Sequence, residues 1–179
     1  STDKAYSWDE IAKWLERITK VANDIVIDIA DIRIKGSAKL DGFAGYDDGQ
    51  YLYTRGDGVN GSDISRVFTR GLGVYNNSAR GQGAGEIVVK KSYFEKNLSD
   101  YFEYPRNFQA SLIKEKDLDD KAKQAILDKA VFFVPFKQLD SWQGSINLFI
   151  KEFNSIVAKL ENSVDFHTDG VVFEITNEK

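Results

Sequence analysis

The sequence predicts an α+β fold whose sheets are mainly antiparallel and flanked by helices, and three observations carry that reading. Apolar residues recur at helical spacing twice, at Trp8, Ile11, Leu15, Ile18 and Ala22, and at Ile146, Phe149, Ile150, Phe153, Val157 and Leu160. Two extended runs meet at Asp48-Gly49, a strong signal for a hairpin turn. Helices and strands do not alternate regularly, as a parallel βαβ sheet would require. No repeat or linker stands out, so residues 1–179 are expected to form a single domain.

In chain order, Ser7-Trp8-Asp9-Glu10 has the spacing of a capping box and opens a helix from Trp8 to Ala22. Ile25, Ile27 and Ile29, then Ile32 and Ile34, change the period to two and predict a strand pair or bulged strand. Ala38–Tyr46 and Gln50–Thr54 form the hairpin arms. After a glycine-dense middle, Glu86–Val89 reads as a short strand, while the Arg106–Ile113 region is ambiguous. Asp117 opens a helix using Leu118, Ala122, Ala125 and Ile126, and Val131–Val134 is a buried strand halted by Pro135. Ile146–Leu160 is the clearest helix, and Gly170–Ile175 the last strand.

Composition excludes several classes. A net charge of −4 with 29% charged residues fits neither a disordered acidic tail nor a strongly basic nucleic-acid module. No apolar run reaches the roughly 20 residues of a membrane span. The chain has no cysteine, hence no disulfide and no thiolate nucleophile or zinc ligand, and a soluble cytoplasmic setting is expected. The one histidine, His167, is expected to be a solvated loop residue. Chemistry therefore falls to Lys, Arg, Asp, Glu and the backbone.

Lys39-Leu40-Asp41-Gly42 places an amine on a strand entering a turn. A lysine attacks only when deprotonated, which requires a partly dry, electropositive pocket. A plain surface strand end fits the same four residues. Thr54-Arg55-Gly56-Asp57-Gly58-Val59-Asn60-Gly61 contains Gly-x-Gly-x-x-Gly, yet no helix of a βαβ unit follows, so it is not read as a dinucleotide fingerprint. It fails as a calcium loop too, since Val59, Gly61 and Phe68 would stand at ligand positions. What remains is a glycine-rich turn bringing Arg55 and backbone amides near an anion. Gly85-Glu86, Tyr104-Pro105-Arg106-Asn107 and Thr168-Asp169-Gly170-Val171-Val172 each read as structural or functional when taken alone.

In order and spacing, these five segments resemble the successive nucleotidyltransferase motifs of the NAD-dependent DNA ligases, over nearly the whole chain. The resemblance implies the nucleotidyltransferase fold of DNA ligases and a single adenylation domain. It makes Lys39 the nucleophile that attacks the α-phosphate of NAD, expels nicotinamide mononucleotide and carries AMP to the 5′-phosphate of a DNA nick. It implies that Asp41 and Gly42 shape the turn, that Arg55 and Glu86 hold the nucleotide and its ribose, and that Arg106 faces phosphate. Asp169 would order the lysine pocket and Mg²⁺, and Val171 would line the nucleotide site. Phosphoryl transfer needs this kind of positioning and cationic stabilisation.

The chain departs from the family pattern at identifiable positions. Ser37 stands where a glutamate reads adenine, Ala84 where an arginine precedes Gly-Glu, and Lys114 where a second arginine completes the Arg-Asn segment. The adenine-stacking aromatic falls near Pro135, with Phe133 and Phe136 as substitutes. Glu174 replaces a phosphate-contacting lysine, and a charge about 4 Å from a phosphate is worth roughly 4 kcal/mol at the effective dielectric of a protein surface. Lys179 is the nearest downstream cation. The sequence ends before the family's last lysine motif, so a partner chain or further domains are expected to supply that motif and the OB-fold that grips nicked DNA. The alternative is a catalytically degenerate ligase-like module that binds nucleotide, DNA or a protein.

Overall fold

The computed structural model describes residues 8–24, 28–54 and 61–176, together with the backbone of 2–5. Ser7, Ile25, Ile27, Arg55–Asn60 and Lys179 lie outside the described residues, and with them the capping box and most of the glycine-rich turn. The fold is mixed α+β, with two sheets flanked by helices, and the chain divides into two compact units. No helix among the described residues is long and apolar enough to cross a membrane.

One unit comprises 1–39, 140–164 and 168–179. Its sheet has strands β1 (Thr2–Ala5), β2 (Arg33–Leu40), β8 (Ser141–Ser145) and β9 (Thr168–Ile175) in the order β1-β9-β2-β8. Helix α1 (Trp8–Asp24) runs with the expected period and buries Ile11, Trp14, Leu15 and Ile18 in the core shared with Ile34, Phe149 and Phe173. Gly36 lets Phe173 cross β2, since a Cβ there would lie 2.6 Å from the Phe173 ring.

The other unit comprises 40–139 and 165–167. Strands β3 (Phe43–Asp47), β4 (Leu52–Thr54), β5 (Gly73–Val74), β6 (Gly83–Val89) and β7 (Val131–Pro135) lie in the order β4-β3-β6-β7-β5. Neighbouring strands in this order pair antiparallel except β5 with β7, which is parallel. Helices α2 (Arg66–Thr69), α3 (Lys91–Tyr93, continued by a π-turn at Phe94–Leu98), α4 (Pro105–Lys114) and α5 (Asp120–Leu127) pack around Ile87, Val89, Phe108, Leu112 and Phe133. The β3–β4 hairpin turns at Asp48-Gly49, with Gly49 at φ 97° and the Asp48 side chain accepting from Gln50 and Tyr51 amides.

Three local expectations are corrected and one open reading is resolved. Ile29–Asp31 is a 3-10 turn, because Asp28 caps it by accepting from the Ala30 amide, and the strand begins only at Arg33. Arg106–Ile113 resolves as helix, with Pro105 in its first turn. The helix after Leu118 starts at Asp120, since Asp119 rather than Asp117 accepts from the Ala122 amide. The long helix splits at Glu152 (φ −112°, ψ 21°) into α6 (Ile146–Lys151) and α7 (Phe153–Glu161), both faces staying apolar across the break.

Candidate functional site

Strand β2 alternates, burying Ile34, Gly36, Ala38 and Leu40 and leaving Lys35, Ser37 and Lys39 half-buried on the opposite face. Ser37 and Lys39 therefore share a face, and Ser37 is paired in register with Ser141 of β8. The Lys39 amine donates to Asp169 Oδ2 at 2.9 Å, with 20% of the lysine side chain and 49% of the aspartate exposed. The amine is thus held by a carboxylate yet open to solvent. Asp169 reaches this position at the start of β9, beside Gly170, whose φ of 98° requires glycine. Val171 is only 1% exposed, its side chain packed in the core, so only its backbone can face a ligand.

Beyond Leu40 the chain turns at Asp41-Gly42 into β3. Asp41 is held at three places. Its amide donates to the His167 carbonyl at 2.9 Å, its carbonyl accepts from Gln109 Nε2 at 3.2 Å, and its carboxylate pairs with Arg106 at 2.9 Å. Gly42 closes against β6: a Cβ there would lie 2.4 Å from Val88 Cγ1 and 2.5 Å from the Ile87 carbonyl. The turn after Lys39 is packed against β6 at Gly42 and bonded to α4 at Asp41.

Glu86 is half-buried on β6, in register with Ala44 on one side and Val134 on the other. Its neighbour Gly85 is needed for packing, since a Cβ would lie 2.4 Å from the Val134 carbonyl. Ala84 lies opposite Tyr46 in the same ladder. Arg106 opens α4 with its side chain 70% exposed, and Lys114 is exposed at the other end, about two turns on. Arg55 lies outside the described residues. Phe133 cannot stack on a ligand, being fully buried edge-on to Phe68, whereas Phe136 is 40% exposed. Glu174 is half-buried on β9, opposite Thr2.

His167 is not a solvated loop residue. Its ring sits edge-on to Phe94 at 5.8 Å, and its Nδ1 is buried without a hydrogen bond. Burial, then the nearby Lys91 charge, hold its pKa below the usual histidine value, while Glu95, Asp41 and Asp165 pull the other way. The segment is fixed from behind by Asp165, whose carboxylate accepts from the Ser92 amide and hydroxyl and whose carbonyl accepts from the Lys91 amide. Gln109 and the His167 carbonyl are the contacts on Asp41 that residue chemistry alone did not single out. Gln109 is uncharged and mid-helix, and the carbonyl belongs to every residue.

An amine aimed by a carboxylate and followed by a clamped turn can act in group transfer once it loses its proton; the carboxylate orients it but, favouring the ammonium, does not supply the electropositive surroundings that loss needs. No protein-family model matches the chain. Over 177 residues it is 60% identical to the DNA ligases of Ruthia magnifica subsp. Calyptogena magnifica and Vesicomyosocius okutanii subsp. Calyptogena okutanii, covering 99% of this chain but 29% and 28% of theirs. It is 52% identical over 177 residues to the DNA ligase of Shewanella baltica, of which it covers 27%. The chain is a homologue of bacterial DNA ligases that spans less than a third of their length.

Proposed function

We propose that this chain is the adenylation core of an NAD-dependent DNA ligase. The observation that carries the reading is the 2.9 Å pair between Lys39 and Asp169, at the two positions where the ligase resemblance puts the nucleophile and a carboxylate of its pocket. The described residues suit the role. The Lys39 side chain is one-fifth exposed, which leaves room for a phosphate to approach, and the carboxylate fixes its direction. Mg²⁺ is expected here as an ion carried by the phosphates of the nucleotide. Asp169 is the residue expected to order it, and the bound ion would offset phosphate charge.

Lys39, after losing a proton to solvent, attacks the α-phosphorus of NAD. The Nζ–P bond forms as the bond from that phosphorus to the bridging oxygen breaks, and nicotinamide mononucleotide leaves with the electron pair. Asp169 aims the amine, and Arg106 supplies a planar cation for phosphate. Glu86 and Arg55 take the nucleotide and its ribose, Ser37 and the Val171 backbone line the base side, and Lys114 contributes a further cation without the arginine fork. Transfer of AMP to the 5′-phosphate of nicked DNA needs further domains or a partner chain bearing the last lysine motif and the OB-fold.

The test is the intact mass of the chain after incubation with NAD and Mg²⁺, and separately with ATP, beside Lys39→Ala. A gain of one adenylate from NAD, lost in the variant, is expected. A gain from ATP alone contradicts the donor. No gain from either favours a second reading, a ligase-like module kept for binding, to which Glu174 on β9 in place of a phosphate-contacting lysine lends support.

A further inference from the structure

Gln109 and Asp47 are the two buried polar or charged side chains among the described residues, each 1% exposed. Gln109 stands three residues after Arg106 on α4, so both project from one side of the helix, and both reach Asp41. Its Oε1 accepts from the Val89 amide at 3.1 Å, while Nε2 donates to the Asp41 carbonyl at 3.2 Å. A backbone N–H can only donate and a carbonyl can only accept, so the two partners fix which way the side-chain amide points. The side chain is therefore a bridge, sealed from solvent, between the end of β6 and the turn that follows Lys39.

We infer that Gln109 is a positioning residue for the nucleophile, holding the backbone two residues beyond Lys39 and so setting the rate of attack without touching the nucleotide. The inference rests on the adenylation reading above. Three anchors on one aspartate differ in kind. Arg106 is exposed, the His167 carbonyl is backbone, and Gln109 is the buried side-chain anchor that a substitution can remove. Displacing a reacting group by about 1 Å costs on the order of 100-fold in rate, which is the scale on which a lost anchor acts.

Two variants test it. Gln109→Met keeps the volume and removes both bonds, and Gln109→Glu keeps the acceptor for Val89 while removing the donor to Asp41. For each, thermal melting, the single-turnover adenylation rate constant and amplitude over a range of NAD concentrations, and hydrogen exchange at the Asp41 amide are measured. Exchange at the Asp48 amide, bonded to the Tyr51 carbonyl, serves as the internal control. The expected result is a rate constant at saturating NAD lowered roughly tenfold or more, with half-saturation and amplitude unchanged, and Asp41 exchange accelerated while Asp48 is not. An unchanged rate constant in folded variants, a loss of amplitude that only follows melting, or two unfolded variants overturns the assignment in favour of plain packing. If the unmodified chain accepts no adenylate, the functional reading has failed separately. Selective exchange at Asp41 then still identifies Gln109 as the anchor of the turn, and unchanged exchange removes it.

Discussion

The Asp41 amide donates to the His167 carbonyl at 2.9 Å, and two residues away from each along the chain stand Lys39 and Asp169, which form their own 2.9 Å pair. The backbone bond fixes the turn, and the side-chain bond holds the amine.

His167 makes stability depend on pH. Its folded pKa lies below the unfolded value of about 6.5, through burial first and Lys91 second, against Glu95, Asp41 and Asp165. Its contribution is therefore complete above about pH 6.5 and is lost as pH falls through the lower, folded pKa. The melting temperature should fall between about pH 7.5 and 5 by more in the native chain than in His167→Gln. Parallel profiles for the two would contradict this.

Asp47 anchors the β3–β4 hairpin from within. It is 1% exposed, takes two bonds from Arg80 and accepts from the Gly49 and Gly81 amides. Burial pushes its pKa up, but the Arg80 bond and the two amides outweigh that and hold it below 3.8. Its contribution is present above about pH 3.8 and is lost as pH falls through the lower, folded value. Asp47→Ala leaves Arg80 facing an empty carboxylate site and should cost about 3–5 kcal/mol in urea denaturation. A loss below about 1 kcal/mol would show the pair to be surface-like.

Gly42→Ala should disturb fold and chemistry together. The new methyl would meet the Ile87 carbonyl at 2.5 Å, and backbone cannot swing aside as a side chain can. A stability loss of about 1–3 kcal/mol is expected from calorimetry, with adenylation reduced further. Native stability in this variant would mean that the turn has slack.

Arg106→Ala separates chemistry from stability. With 70% of the side chain exposed, its pair with Asp41 should contribute less than about 1 kcal/mol to folding. As a phosphate-facing cation it should matter more, lowering the adenylation rate by roughly tenfold. Equal rates in both proteins would leave Arg106 as a surface ion pair.

Much of the fold was legible because period and punctuation agreed. Helix α1 follows its apolar spacing, and the Asp48-Gly49 turn has both the φ of 97° and the side-chain bonds its residues predict. Strand β8 escaped notice because Ser141-Trp142-Gln143-Gly144-Ser145 lacks an apolar alternation and takes its place through pairing with β2. The break at Glu152 has no Gly or Pro to announce it, and an unbroken helical period runs across it. At the site, Lys39, Asp41, Arg106 and Asp169 were legible as charged residues in motifs, and the structure pairs them two by two. Gln109 and His167 were not, since their parts depend on burial and on backbone partners supplied by distant segments.

The most direct measurement is to locate the adenylate. The chain is incubated with NAD and Mg²⁺, digested, and its peptides sequenced by tandem mass spectrometry. Adenylate on Lys39, reduced in Asp169→Asn and absent in Lys39→Ala, is the predicted result. Adenylate on any other residue, or on Lys39 at the same rate without the Asp169 carboxylate, would contradict a nucleophile aimed by that pair.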